Sequence, residues 1–287
     1  MGKLREKLPY YQGIRLIIIP IVVVLSICCS LGIMIFFDLL PRSFPNTVFF
    51  NYLSIVFPII GVIISTTIGF LLVYQIWRKR AMFLNKYREQ AYQKAFKYII
   101  MPIPFIMSIV VHIFLPIILI TPSPESSIST FILSRSIIDF ISNMELLFNL
   151  FSGILLILSL ITFIIGVMAI RRTLLTFGWD YMALIYLYYP EESELQNHAI
   201  YSVLRHPTYH SLLIFGLSAV FLRFSFYSFI FFMILLLGLT LHIKLVEEKE
   251  LIQRFGDDYV KYKQSVPAFF VRLKDSSKYF RFLLGGD

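Results

Sequence analysis

Six long uncharged runs of mostly apolar residues constrain the fold of this chain more than any other feature. The runs cover residues 16–37, 43–77, 98–123, 146–170, 207–222 and 224–243. A helix needs about 20 apolar residues to cross a bilayer, and of these runs only 207–222 is marginal in length. Backbone polar groups inside a bilayer must be paired, and no alternating pattern indicates a barrel. We therefore predict an all-α integral membrane protein with about six transmembrane helices.

The charge distribution predicts the orientation of these helices. Hydrophobic residues make up 58% of the 287 residues and charged residues only 15%. When Lys and Arg are sorted by the six runs, all but Arg42, Arg135 and Arg223 fall on one side. Because basic loops are retained in the cytoplasm, we predict a multi-pass protein with both termini cytoplasmic. The net charge of +9 fits this topology and an attraction to anionic membrane lipids, so nucleic acid is not an expected partner.

The cysteines and the N-terminal segment place few further constraints on the fold or the function. Cys28 and Cys29 are adjacent within the first apolar run, which excludes a disulfide framework, and no metal site is expected. The first run is too long for the core of a signal peptide and lacks a small-residue cleavage pattern, so it is predicted to remain as an anchor.

The chain divides into two predicted regions. Residues 1–145 form an N-terminal transmembrane region with three spans and interfacial helices, and residues 146–287 form a core with three spans, a polar loop and a tail. The charged segment 78–97 is predicted to be an interfacial connector helix. Residues 121–145 are predicted to form a surface helix at the boundary.

Prolines predict irregular helices in the N-terminal region. Pro58, together with Gly61, predicts a kink or a tilt in the overlong second run. The third run contains Pro102, Pro104 and Pro116, which predict a bent helix with space beside it.

The polar residues 201–209 stand where the chain turns apolar, and they group a cation, an imidazole and two phenols around a proline. Proline favours the first turn of a helix, whose free N–H groups attract anions. The last two apolar runs are predicted to form a hairpin that returns Glu247 and Glu248 to the membrane face that holds Arg205 and His206. This geometry predicts a pocket that accepts an anion and a cation.

The ordered motifs between about residues 150 and 270 resemble the membrane-embedded methyltransferases of the isoprenylcysteine carboxyl methyltransferase and phospholipid methyltransferase superfamily. The motifs that carry the resemblance are Arg171-Arg172 followed by Gly178, Arg205-His206-Pro207-Thr208-Tyr209, Glu247-Glu248 with Leu251, Phe255-Gly256 with Tyr259 and Tyr262, and Val266-Pro267. Residues 1–145 contain no matching motif. The family commonly has glycine where this chain has Ala199 and Ser211, and a side chain there narrows the pocket.

The resemblance implies S-adenosylmethionine as cofactor, bound at the cytoplasmic face. The cofactor-binding residues that it implies are Gly178, His206, Pro207, Tyr209, Glu247, Glu248, Tyr259 and Tyr262. The catalytic candidates are Arg171, Arg172, Tyr201 and Arg205, the last of which is expected to orient the loop. The resemblance implies that Glu247 and Glu248 bind the ammonium or the ribose of the cofactor. His206 and the N–H groups after Pro207 would bind its carboxylate, and the tyrosines would face its sulfonium.

The implied substrate is a lipidic or prenylated acceptor that enters between helices from the bilayer. Carboxyl methylation of a prenylated cysteine or a similar lipidic acid is the leading hypothesis, with Arg171, Arg172 or Lys244 holding the carboxylate. Phospholipid or other lipid N-methylation is the alternative, in which His242 or a tyrosine takes the amine proton. A nicotinamide-dependent sterol-type reductase and a non-catalytic relative are the remaining alternatives.

Overall fold

The computed structural model describes residues 6–44, 47–115 and 146–286, and the regular elements in these residues are all helical. In chain order the helices are α1 Ile18–Ser43, α2 Val48–Leu53, α3 Phe57–Tyr87, α4 Ala91–Ile99, α5 Pro102–Phe114, α6 Leu146–Met182, α7 Ile185–Tyr188, α8 Pro207–Arg223, α9 Phe226–His242, α10 Glu248–Ser265 and α11 Ser276–Leu284. A π-helical turn, Ile243–Glu247, joins α9 to α10. The predicted all-α fold is confirmed.

Four helical stretches of the described chain are long and apolar enough to cross a membrane. They are Gly13–Pro41, Phe57–Phe114, Leu150–Gly178 and Phe226–Ser265. The second stretch contains α3, α4 and α5 and therefore holds two of the predicted runs. Helix α8 has 17 residues, about 26 Å at 1.5 Å per residue, which is shorter than a typical hydrocarbon core. An integral membrane protein is thus supported, whereas the six predicted runs are not six equivalent spans.

The prolines of the N-terminal region begin helices. Pro58 lies in the first turn of α3, and Pro102 and Pro104 lie in the first turn of α5. The N–H groups of a first turn have no intrahelical acceptor, so proline is accommodated there without a bend. The predicted kink or tilt at Pro58 and the predicted bend at Pro102 and Pro104 therefore correspond to breaks between helices: α2 ends at Leu53 before α3 begins at Phe57, and α4 ends at Ile99 before α5 begins at Pro102. Pro116 and the predicted surface helix 121–145 lie outside the described residues.

The charged segment 78–97 does not form one helix. Helix α3 continues to Tyr87, the chain reverses at Arg88 with φ of 49°, and the amphipathic helix α4 follows. The buried face of α4 includes Tyr92 and Phe96, which pack with α7 and with Leu8 and Tyr11 near the N-terminus. The predicted connector is therefore the end of a long helix followed by a short helix that packs on the protein.

Helix α8 lies at the centre of the bundle and contacts α5, α6 and α9. Its closest approach to α6 uses small residues. Ser159 and Ser218 each donate a hydroxyl hydrogen bond to the other's carbonyl, at 2.9 and 2.8 Å, and Gly166 lies against the ring of Phe215. Small side chains and interhelical hydrogen bonds stabilise helix pairs in membranes, where the hydrophobic effect does not.

The two predicted regions share one hydrophobic core. This core joins Met34 of α1, Val62 of α3 and Ile109 of α5 with Leu213 of α8 and Leu235 of α9. The N-terminal helices are therefore in contact with the hairpin that holds the motifs.

Candidate functional site

The helical hairpin returns the acidic pair to the polar loop, as the sequence predicts. Phe224 turns the chain in a left-handed conformation, and Ser225 caps α9 through reciprocal hydrogen bonds with Ser228. At the other end of α9, Glu247 Oε1 lies 3.3 Å from His206 Nδ1, and Glu248 Oε1 lies 3.8 Å from His206 Nε2.

A π-helical turn allows two consecutive carboxylates to face one imidazole. Adjacent side chains of an α-helix diverge by about 100°, because 3.6 residues complete a turn. The π turn over Ile243–Glu247 widens the helix just before Glu248, and such single turns occur mostly at functional sites. The apolar run predicted a helix here but contained no signal for this bulge.

Arg205 connects the polar loop, which precedes α8, to helix α10 through hydrogen bonds. Its Nη2 donates to Glu248 Oε1 at 2.6 Å, and its Nη1 donates to the carbonyl oxygens of Lys263 at 2.8 Å and of Val266. These carbonyls end α10, where the helix carries partial negative charge. The geometry supports the expectation that Arg205 orients the loop.

Glu248 belongs to this internal network. Its second oxygen, Oε2, lies 2.6 Å from Lys263 Nζ, and its side chain is buried. Both oxygens are thus paired with cations of the protein, which leaves little capacity to bind a cofactor group. Glu247, by contrast, keeps one oxygen, Oε2, without a hydrogen-bond partner among the described residues.

The tail also holds the loop. The Arg205 and His206 N–H groups donate to the carbonyls of Pro267 at 2.9 Å and Ala268 at 3.1 Å. His210 Nδ1 lies 2.6 Å from the Phe269 carbonyl and its Nε2 lies 2.7 Å from the Tyr279 hydroxyl. A carbonyl only accepts, so Nδ1–H donates to Phe269 and Nε2 accepts from Tyr279. The Val-Pro motif therefore acts through its backbone.

A cavity of about 380 Å³ adjoins this cluster, within the size range of small-molecule sites. The predicted site residues that line it are Gly178, Tyr201, Arg205, His206, Pro207, Tyr209, Glu247, Tyr259 and Tyr262. Arg171, Arg172 and Glu248 are not among its lining residues. Arg171 is exposed, while Arg172 donates to the Phe282 carbonyl at 3.0 Å and packs on the Phe282 ring. The structure thus separates the paired arginines from the other candidates.

Several buried polar atoms at the cavity have no hydrogen-bond partner among the residues that the structure describes. They are His206 Nε2, His242 Nε2, Glu247 Oε2 and the Tyr259 hydroxyl. His242 Nε2 and Glu247 Oε2 are 3.9 Å apart, which is too long for a hydrogen bond. Because buried polar groups are nearly always paired, unpaired atoms concentrated at one cavity indicate a ligand site.

The charge of His206 follows from its neighbours. Burial lowers the pKa of this imidazole, but the carboxylates of Glu247 and Glu248 outweigh burial, so the pKa is raised above its ordinary value of 6.5. The raised pKa of His206 favours its cationic form beside the open oxygen of Glu247, which pairs a positive with a negative group. This arrangement is complementary to a zwitterion.

Aromatic side chains form the walls of the site. The Tyr209 ring stacks on His206 at 5.8 Å between centroids and meets His242 edge-on at 6.4 Å. Tyr262 packs with Tyr259 at 5.9 Å, and its hydroxyl donates to the Tyr201 carbonyl at 2.7 Å. Aromatic faces attract cations, including a sulfonium.

The two positions where the family commonly has glycine differ in their effect. Ala199 has a φ of 48°, in the left-handed region that glycine adopts more readily. The backbone therefore retains a glycine-like conformation despite the alanine side chain. Ser211 lines the cavity and donates its hydroxyl to the Pro207 carbonyl at 3.0 Å, within α8.

Helix α3 contributes cavity residues that the sequence analysis missed, including Phe70, Val73 and Trp77. Their region contains no recognisable motif. Their role depends on the approach of α3 to α9, which periodicity within one helix does not reveal.

The phospholipid methyltransferase family model matches residues 148–258. No curated protein and no solved structure matches the chain. The matched residues include α8, α9, the polar loop and the acidic pair, which are also the elements that form the polar end of the cavity. Residues 148–258 are therefore similar to the phospholipid methyltransferase family, within the membrane methyltransferase superfamily that also contains the isoprenylcysteine carboxyl methyltransferases.

Proposed function

We propose that this protein is an S-adenosylmethionine-dependent methyltransferase that acts on the amine of a lipid, with its cofactor site and both termini at the cytoplasmic face. The observation that carries the proposal is one cavity with two ends. At one end His206 lies beside Glu247 and the start of α8, and the other end is lined by apolar residues of the membrane-embedded helices.

The polar end suits the cofactor. The carboxylate of the cofactor would bind His206 and the free N–H groups that follow Pro207, and its ammonium would bind the open oxygen of Glu247. Tyr209 and Tyr259 present aromatic faces and hydroxyls in the same cavity. When bound, S-adenosylmethionine supplies an electrophilic methyl group, so the main task of the protein is to align the acceptor, which accounts for about 7–11 kcal/mol in well-oriented reactions.

The apolar end suits a lipid chain. Its walls come from α3, α5, α6 and α8, and they include Val73, Ile103, Ile106, Met107, Ile170 and Phe215. Because these helices lie within the membrane-spanning part of the fold, a lipid can enter laterally between them. An amphiphilic acceptor would thereby keep its chain in the bilayer and place its headgroup beside the cofactor.

An amine acceptor fits the cavity better than the carboxylate acceptor favoured by the sequence. Arg171, Arg172 and Lys244, the candidates to hold a carboxylate, do not line the cavity. Among the described residues two arginines do, Arg205 and Arg254, and each is already paired with a glutamate. The negative charge of Glu247, whose open oxygen is assigned to the ammonium of the cofactor, would repel a carboxylate acceptor in the same cavity and favour an amine.

His242 is the proposed proton acceptor, since its buried Nε2 is unpaired and its ring lines the cavity. The amine nitrogen forms a bond to the methyl carbon with its lone pair as the carbon–sulfur bond breaks toward sulfur. The proton released from nitrogen passes to His242 Nε2. A reductase would instead need a cationic site for several phosphates, which Glu247 disfavours.

Two measurements test the proposal. Calorimetry on the purified protein should detect binding of S-adenosylhomocysteine and none of a nicotinamide dinucleotide, and Glu247→Gln should weaken the binding. In vesicles, label from radioactive S-adenosylmethionine should enter base-stable amines when phosphatidylethanolamine is supplied. Binding of the dinucleotide alone would support the reductase, and label found only in base-labile esters would support a carboxylate acceptor.

A further inference from the structure

We infer that helix α3, outside the family-matched region, completes the acceptor site, with Phe70 and Trp77 forming a headgroup subsite around His242. The inference rests on the proposed function and adds to it a specific recognition site. Its ligand would be a headgroup with an amine or ammonium nitrogen and a nearby acceptor oxygen.

The three rings form a partly enclosed aromatic site. Phe70 stacks on the His242 imidazole at 5.7 Å with an interplanar angle of 26°, and Trp77 meets the same imidazole edge-on at 5.5 Å and 77°. Phe70 and Trp77 are seven residues apart, so they lie on the same face of α3 two turns from each other. All three side chains line the cavity.

The close approach of α9 to α3 positions these rings. Gly238 precedes His242 by four residues, so both lie on one face of α9. A Cβ added at Gly238 would clash with the Phe70 ring and would lie 2.9 Å from the Thr66 methyl group. The glycine thus allows Phe70 to reach the imidazole one turn further along α9.

Packing alone does not explain the polar atoms of this subsite. Trp77 Nε1 and His242 Nε2 are both buried, and neither has a hydrogen-bond partner in the described part of the chain. An indole N–H only donates, whereas a neutral imidazole with its proton on Nδ1 accepts at Nε2. A ligand with an acceptor oxygen for Trp77 and an N–H group for His242 would pair both atoms.

The position of Glu247 defines the charge of this ligand. Its Oε2 lies 3.9 Å from His242 Nε2, so its negative charge acts on a ligand nitrogen beside His242 as well as on the ammonium of the cofactor. The aromatic faces of Phe70, Trp77 and Tyr209 also favour a cation. Tyr209 contacts both His206 and His242, so the cofactor and headgroup subsites would share this wall.

The test measures ligand binding in the absence of turnover. Detergent-solubilised full-length protein is saturated with S-adenosylhomocysteine and titrated with dioctanoyl phosphatidylethanolamine in a calorimeter. Trp77→Phe keeps an aromatic ring and removes only the donor, and it should weaken binding of the lipid roughly 5-fold. Phe70→Leu should weaken it by a similar factor through loss of the aromatic face. Affinity for S-adenosylhomocysteine should stay within about twofold of the wild type in both variants.

Tyr74→Phe is the matched control, because Tyr74 lies on α3 between the two rings, is 43% exposed and does not line the cavity. It should bind both ligands as the wild type does. Unchanged lipid binding by Trp77→Phe would overturn the inference. So would an equal loss of both ligands, which would assign Trp77 to the cofactor subsite.

A second variant probes the helix approach. Gly238→Ala should displace Phe70 and weaken binding of the lipid more than binding of S-adenosylhomocysteine. Equal losses of affinity for the two ligands would contradict the inference. Failure of the proposed function is distinguishable, because the wild-type protein would then not bind S-adenosylhomocysteine at all.

Discussion

Two buried histidine–carboxylate groups in this protein are built differently. In the N-terminal helices, His112 Nε2 lies 2.7 Å from Asp38 Oδ2, in a direct hydrogen bond. At the π turn, His206 contacts Glu247 and Glu248 at 3.3 and 3.8 Å. Both groups contain polar atoms without partners, but only the second places them at the cavity.

The difference separates a structural link from a binding site. Asp38 and His112 connect α1 to α5, and the Phe231 ring packs over the imidazole at 5.2 Å between centroids. That pair is joined by one short hydrogen bond, and neither of its residues lines the cavity. The His206 group is held from outside by Arg205 and the tail, so its open atoms face the cavity. Mutations in the first group should affect stability, and mutations in the second should affect ligand affinity.

The largest expected effect is a loss of protein stability when either residue of the Asp38–His112 pair is replaced. Asp38→Ala leaves the imidazole buried without its carboxylate, and we expect a loss of about 3–5 kcal/mol in the free energy of unfolding. His112→Ala should cost a similar amount. Reversible unfolding by urea or SDS in mixed micelles gives these values.

The double variant provides the control for this prediction. Because the two side chains share one interaction, the Asp38→Ala/His112→Ala protein should be less destabilised than the sum of the single variants. Additive losses would show that the bond at 2.7 Å contributes no coupling. Affinity for S-adenosylhomocysteine should be preserved in the folded fraction of each variant.

The next largest effect is expected at Glu247, where replacement should reduce ligand affinity more than stability. Glu247→Gln removes the negative charge at the cavity, and we expect S-adenosylhomocysteine to bind about 10- to 100-fold more weakly, as for a hydrogen bond to a charged group. Stability should change less than in Asp38→Ala, because glutamine keeps the side-chain shape and Glu247 Oε2 has no partner among the described residues. Calorimetric titration beside thermal unfolding separates the two quantities. Destabilisation without a loss of affinity would class this group with the Asp38–His112 pair.

The sequence predicted the composition of the second group better than that of the first. The hairpin, the loop and the acids are local motifs of one family, and the structure brings Arg205, His206, Glu247 and Glu248 together. Asp38 and His112 come from distant helices, so their pairing depends on the packing of α1 against α5. The same reason explains why Phe70 and Trp77 were missed.

Other details could not be predicted because one residue type has several uses. Proline predicted bends, but at Pro58 and Pro102 it begins a helix. The acids were predicted to act alike, but their neighbours separate them, since Lys263 and Arg205 both bind Glu248. The residue types predicted which chemical groups meet at the site. Which of their atoms lack a hydrogen-bond partner depends on the helix ends and the π turn, which the sequence does not reveal.

The pH dependence of ligand binding sharpens the contrast further. The carboxylates raise the pKa of His206 above 6.5 despite burial. The stability that this group contributes is fully present below pH 6.5 and is lost as the pH rises through the raised pKa. Affinity for S-adenosylhomocysteine should fall in the same window, by at most about tenfold per pH unit. Calorimetry across this range should give a flatter profile for His206→Gln; an identical profile would exclude His206 as the titrating group.

A smaller effect is expected in the loop that precedes the site. Ala199 has a φ of 48°, a conformation that costs an L-residue about 1–2 kcal/mol. Ala199→Gly removes this cost but adds chain entropy to the unfolded state, so a net gain of about 0.5–1 kcal/mol is expected. Thermal unfolding measures it. Ala219→Gly, in the buried interior of α8, is the control and should destabilise the protein instead.

The smallest expected effect is at Lys263, which pairs with Glu248 from a position 40% exposed. Lys263→Ala should cost only about 0.2–1 kcal/mol, because solvent screens the pair and Arg205 still neutralises the buried carboxylate. Arg205→Ala should cost clearly more, since it leaves Glu248 without its buried partner and the end of α10 without a donor. Equal losses in the two variants, measured by denaturant unfolding, would mean that the network is held from its exposed side, and the assignment of Arg205 as the residue that positions the loop would then be wrong.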